Sequence, residues 1–168
     1  MPEMLFSFDR RNFRDCQQAY RGERHQEYYR GDLRIEDATV IDVKAERKVV
    51  GPISIIRQRS ATNLSFRRNR QHIREDATDL SILWFVKHGS LAFSNQCGNK
   101  VANPGDFAIT RSMSPFLIEC RVDGERVSEQ LQVTVPTHIL RTHVPHDFSA
   151  GLFMAMERTE LAIAENIL

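Results

Sequence analysis

Between residues 35 and 135 the chain alternates short runs rich in Val, Ile, Thr and Phe with turn residues every eight to twelve positions. Runs of that length are strands rather than helices, and their rhythm predicts an antiparallel sandwich or barrel. Strands are expected near 35–43, 49–59, 64–74, 80–88, 90–96, 99–103, 106–111, 116–121 and 127–135. Gly51-Pro52, Gly89-Ser90, Cys97-Gly98-Asn99, Pro104-Gly105 and Asp123-Gly124 supply the turns. Pro104 presets φ for the first central position of a type II turn and Gly105 accepts the positive φ of the second, so 99–111 is expected to fold as a hairpin.

The two ends follow a different pattern. Phe13, Cys16 and Tyr20 fall at i, i+3 and i+7, which predicts a short amphipathic helix ending near Gly22 inside an N-terminal arm, 1–34. After Val135, Pro136 suits a first helical turn, and Ile139 and Leu140 follow at helical spacing. Farther on, Phe148, Leu152, Met156, Thr159, Ile163 and Ile167 step by four and three along one stripe, with Ser149 as N-cap, so 137–168 is expected to be helical. The stripe needs burial. Leu152, Met156, Ile163 and Ile167 are therefore expected to pair with a second copy in a C2 homodimer, and packing back on the chain's own barrel is the competing reading. Since that helix runs to Leu168 with no Gly cap or Pro stop, the natural chain is expected to continue or the helix to meet a partner.

Composition narrows the class. The 168 residues suit one domain with a real core, and 41% hydrophobic with 27% charged residues is neither disordered nor collagenous. With 23 Lys+Arg against 22 Asp+Glu the net charge is +1, so the overall field does not attract nucleic acid. Cys16, Cys97 and Cys120 are odd in number, far apart and without a CxxC pair, which suits a reducing compartment and small buried hydrophobes. No stretch approaches the roughly 18–20 apolar residues of a membrane span, and the start turns charged at Asp9 without a signal-peptide core, so a cytoplasmic location is expected.

Candidate chemistry is sparse. There is no GxSxG elbow, no catalytic-type context around Cys97 and no phosphate-cradling glycine loop. The histidines His25, His72, His88, His138, His143 and His146 contain no His-x-His pair, and Pro145 interrupts the last three, so neither metal nor other cofactor is expected. The aromatic and basic residues of the first thirty positions are offset by Asp9, Asp15, Glu23 and Glu27 and read as a solvated face. Residues 57–74 stand out, with Arg57, Arg59, Arg67, Arg68, Arg70 and Arg74 and no acid. In a strand, Phe66, Arg68, Arg70 and His72 share one face and Ser65, Arg67, Asn69 and Gln71 the other. An edge strand whose charges discourage pairing would explain this, and a nucleic-acid patch is a third reading. In the second, Phe66, Arg68, Arg70 and His72 line a barrel mouth with Trp84, which shares a face with Leu80, Ile82 and His88. An arginine fork and an aromatic platform there would suit a small organic acid or aromatic compound. A slip of one residue would select Arg67 and Asn69 instead.

From about Ser60 to Pro136 the chain resembles the N-terminal sensing domain of the AraC-type transcription regulators, in its AraC-binding-like variety. The resemblance is carried by FRRNRQHIR (66–74), Asp79 opening DLSILWFVKHGSL, the Gly98-x5-Pro104-Gly105-Asp106 turn, ITRSMSPF with Pro115, and VTVP ending at Pro136. It implies a mainly β fold: a cupin-like antiparallel β-barrel (double-stranded β-helix or jelly roll) over 35–136, with an N-terminal arm and C-terminal helices. It implies an effector-sensing and dimerisation domain, not an enzyme, which touches DNA only through a helix-turn-helix domain outside these residues. One departure is clear: where the family often carries an acid in a stretch like DxSRP, this chain reads RSMSP from Arg111. The competing classes are a small standalone cupin enzyme, an isomerase or lyase of a polar metabolite, and a plain interaction domain with a collapsed barrel.

Overall fold

The computed structural model describes residues 2–9, 11, 29–36, 41–122, 124, 127–143 and, as backbone, 152–155. Its elements are β1 (Glu3–Asp9), β2 (Asp32–Ile35), β3 (Asp42–Val50), β4 (Ile53–Ser60), β5 (Leu64–Arg68), α1 (Arg70–Asp76), β6 (Leu80–His88), β7 (Ser90–Asn95), β8 (Gly98–Ala102), β9 (Asp106–Arg111), β10 (Phe116–Arg121), β11 (Ser128–Pro136), α2 (Thr137–His143) and β12 (Leu152–Ala155).

Two antiparallel sheets face each other, one in the order β1-β3-β4-β11-β6-β9-β12 and the other β2-β5-β10-β7-β8. Within them β4 pairs with β11, β5 with β10, β6 with β9 and β7 with β8, so the eight strands nest like one long hairpin rolled up. That connectivity is the jelly roll, and the chain has the cupin-like barrel that the family resemblance implies. Side chains alternate along each strand, which sends Leu80, Ile82, Trp84 and Val86 of β6 inward against Leu64, Phe66, Leu91, Phe93, Phe116 and Ile118 of the facing sheet. Trp84 meets Phe93 edge to face, with ring centroids 6.1 Å apart. Outside the first sheet, α2 packs on β11 and β6, and Thr137 shares a hydrogen bond with Ser81. Among the described residues no helix is long and apolar enough to cross a membrane.

Five expectations are corrected. The 1–34 arm contributes strands: Phe6 and Phe8 alternate at period two, and β1 pairs along β3 with Phe8 opposite Val43. The helix expected around Phe13, Cys16 and Tyr20 lies outside the described residues. The strands expected at 35–43 and 49–59 are a hairpin of β3 and β4 turning at Gly51-Pro52, where Gly51 takes φ 58. The strand expected over 64–74 stops at Arg68, because Asn69 caps a helix: its Oδ1 accepts from the N–H groups of Gln71 and His72, while His72 Nδ1 accepts from Asn69 N.

The Pro104-Gly105 turn forms, with Gly105 at φ 98 and Asp106 N donating to Asn103 O. It joins no hairpin, since β8 and β9 belong to different sheets, and the turn carries the chain across the barrel. Finally, the helical stripe is interrupted at Leu152, which lies in β12, paired opposite Ile109 on the open edge of β9. A sheet edge offers backbone donors and acceptors that a passing segment satisfies. Met156, Ile163 and Ile167 lie outside the described residues.

Candidate ligand site

The inward face of the first sheet is unexpectedly polar. β4 contributes Ser54, Gln58 and Ser60, β11 contributes Ser128, Gln130, Gln132 and Thr134, and β9 contributes Thr110, all buried. Register sets the glutamines together: Gln130 lies opposite Gln58 on one side, and Gln132 opposite Trp84 on the other. Gln132 Nε2 donates to Gln58 Oε1 at 3.1 Å, Gln130 Nε2 to Cys120 Sγ at 3.2 Å, and Trp84 Nε1 to Thr110 Oγ1 at 2.8 Å.

Of these, Gln58, Gln132, Trp84 and Cys120 border a small interior cavity of about 10 Å3, room for one water-sized molecule. Its wall is aromatic at Tyr29, Phe66 and Trp84, aliphatic at Leu33, Leu64 and Ile118, and polar at Gln58, Gln132 and Cys120. Tyr29 packs edge to face on Phe66 at 5.5 Å and on Phe116 at 6.0 Å. Burial pushes the Cys120 thiol up to about 12, so it stands there as a neutral, weakly polar group.

Beside Tyr29 lies a buried ion pair. Arg68, with a side chain 0% exposed, sends Nη1 and Nη2 to the two oxygens of Asp76, each at 2.7 Å. Nη1 also reaches Arg30 O at 2.7 Å, Nε reaches Ser112 O, and Cζ sits 5.5 Å from the Tyr29 ring centre. Asp76 accepts further from Arg30 N and Thr78 N. Burial by itself would raise the Asp76 pKa. The hydrogen bonds from Arg68, then those from the two backbone N–H groups, outweigh it and hold the carboxyl below its usual range.

Of the residues singled out in the sequence, Phe66 and Trp84 come together on the cavity. Arg68 faces the same way but is committed to Asp76. Arg70 and His72 do not line the cavity: they sit on α1, Arg70 exposed and His72 with Nε2 3.6 Å from Asp32 Oδ1. Sequence reasoning missed Tyr29, Gln58, Gln132 and Cys120. The alternation of Gln130 and Gln132 with Leu131 and Val133 was the available signal, and it points the polar residues inward, opposite to the usual assignment. The divergent RSMSP stretch is accounted for as well. Arg111 forms a two-pronged pair with Asp79 at 3.0 and 2.8 Å, and buried Ser112 accepts from Leu80 N and donates to Thr78 O. Among the described residues no group of three His, Cys, Asp or Glu is placed to hold a metal ion.

No protein-family model matches the chain, and no curated protein matches it. It is similar in fold to the AraC-like transcriptional activator CuxR, with a TM-score of 0.65 at 16% identity over 82% of this chain and 49% of that one. The chain thus spans about half the length of that activator. Lower-scoring likenesses are the Clostridium difficile EutQ protein (TM-score 0.42, 14% identity, 57% of this chain and 64% of that one) and a Cupin 2 conserved barrel domain protein from Salinispora arenicola (TM-score 0.42, 14% identity, 68% and 91%).

Proposed function

We propose that this chain is the effector-sensing and dimerisation domain of a cytoplasmic AraC-type transcription regulator, controlling DNA binding by a helix-turn-helix domain outside it. The observation that carries the reading is the polar interior. A barrel that only had to be stable would gain little from three buried glutamines, because a buried hydrogen bond contributes about 0.5–1.5 kcal/mol net and two apolar partners of the same shape serve as well. Polar residues kept where a core should be apolar mark a site. The fold shared with half of an AraC-like activator supports the regulatory part of the reading.

The domain binds rather than transforms its small molecule, and it works as a homodimer. A thermal-shift screen of small organic acids, sugars and aromatic compounds tests the first part, because a ligand at 100 times its Kd adds about 2.7 kcal/mol to the folded state. Turnover of a hit by the purified chain would favour an isomerase or lyase instead. Light scattering at tens of micromolar tests the second, with only the 19.4 kDa species refuting the dimer.

A further inference from the structure

The wall of the cavity bears on the charge of what it can hold. It carries no carboxylate and no basic side chain: burial holds Cys120 as the thiol, and the other lining side chains are aromatic, aliphatic or carboxamide. The neighbouring cation, Arg68, already spends four of its five N–H donors on Asp76, Ser112 O and Arg30 O. An anion brought inside would have to displace Asp76 or remain without a countercharge, and both carry a large desolvation cost. A carboxamide pair such as Gln58 and Gln132 suits a neutral guest, because it offers donors and acceptors at once and turning an amide over exchanges them.

The same wall bears on size. At about 10 Å3 the cavity admits no organic ligand unless something leaves. Tyr29 alone among the lining residues stands outside a strand, so it can withdraw without breaking a ladder. What it removes from the barrel is an uncharged ring with one hydrogen-bonding group.

Building on the effector-sensing reading, we propose that Tyr29 occupies the site as a built-in competitor, and that the effector is a small uncharged aromatic molecule with one hydrogen-bonding edge, a carboxamide or a phenol. Its ring replaces that of Tyr29 against Phe66 and Phe116, and its polar edge meets Gln58 and Gln132. Displaced Tyr29 draws on the Arg30 and Arg68 contacts beside it.

Trp84 is the sole tryptophan and lies in the wall, so its fluorescence reports the site directly. The full chain is titrated with benzamide and with benzoate, which share a shape and differ by one charge. Saturable binding of benzamide, at least tenfold tighter than benzoate, is expected. Tyr29→Ala should tighten benzamide at least tenfold by removing the competitor, and Gln132→Leu should erase the preference for benzamide over toluene. If Tyr29→Ala does not fold, Gln132→Leu and the charge pair still decide. Benzoate binding as well as benzamide would overturn the ligand class and leave the interior site standing. No saturable response to any of the three probes, in the native chain or in folded Tyr29→Ala, would overturn the site itself. Unchanged benzamide affinity in folded Tyr29→Ala would overturn the competitor.

Discussion

Replacing Asp76 by Ala strands a guanidinium that has nowhere to go. Arg68 is 0% exposed and Asp76 10%, and the carboxylate takes two of the arginine's hydrogen bonds together with the Arg30 and Thr78 amides. Arg68 keeps the carbonyls of Ser112 and Arg30, so partial compensation remains. Breaking a buried pair from one side costs about 3–5 kcal/mol. For a domain of this size each kcal/mol moves Tm by about 2–4 °C, giving a fall of about 6–20 °C. Thermal unfolding followed by far-UV circular dichroism, with a urea titration for the free energy, measures it directly. The double variant Arg68→Met with Asp76→Leu should recover part of the loss, because no buried charge is left unpaired, while the Arg30 and Thr78 amides and the Arg30 and Ser112 carbonyls lose their partners. A loss below about 1 kcal/mol in Asp76→Ala would mean that solvent reaches Arg68, and the description of a sealed ion pair would be wrong.

Three further outcomes are expected. Because the Asp76 carboxyl is held below its unfolded value, its contribution is full above about pH 4 and is lost as pH falls through the lower folded value, so the native chain should lose Tm on acidification more steeply than Asp76→Asn. In Gly31→Ala the new Cβ would stand 2.2 Å from the Phe66 ring, and a urea titration should show a loss of about 1–3 kcal/mol typical of overpacking. Thiol labelling mapped by mass spectrometry should find exposed Cys97 reacting freely, and Cys120, buried and with its pKa at about 12, reacting only as the chain unfolds.

The barrel's strands were legible where polarity and pleat agree. β6 to β11 stand within one residue at each end of the expected runs, because each carries branched or aromatic residues between marked turns. The misreadings have particular causes. Asn69 is a short polar residue inside an arginine run, and only its side chain on the Gln71 and His72 amides turns the strand into a helix. β1 was hidden because Phe6 and Phe8 sit among charges that suit an exposed arm. The site was half legible: Phe66 and Trp84 are conspicuous by chemistry, whereas Gln58 and Gln132 meet only through the register of β4 and β11, which no local pattern specifies.

The nested pairing of the strands also dictates the order in which loops close as the chain folds. Asn95 and Gly98, joined at the tip of β7 and β8, are near neighbours in sequence, whereas the Thr134 hydroxyl reaches a carbonyl 80 residues away at Ser54. Each inner pair shortens the loop the next must close, so assembly runs outward from β7 and β8 and the chain should fold in the milliseconds-to-seconds range of non-local β topologies. β11 is the last of the eight nested strands in the chain and lies between β4 and β6, which leaves two central edges open until residue 136 is in place. During synthesis those edges wait for the ribosome to release β11, and that interval is when the protein is most exposed to strand-to-strand aggregation.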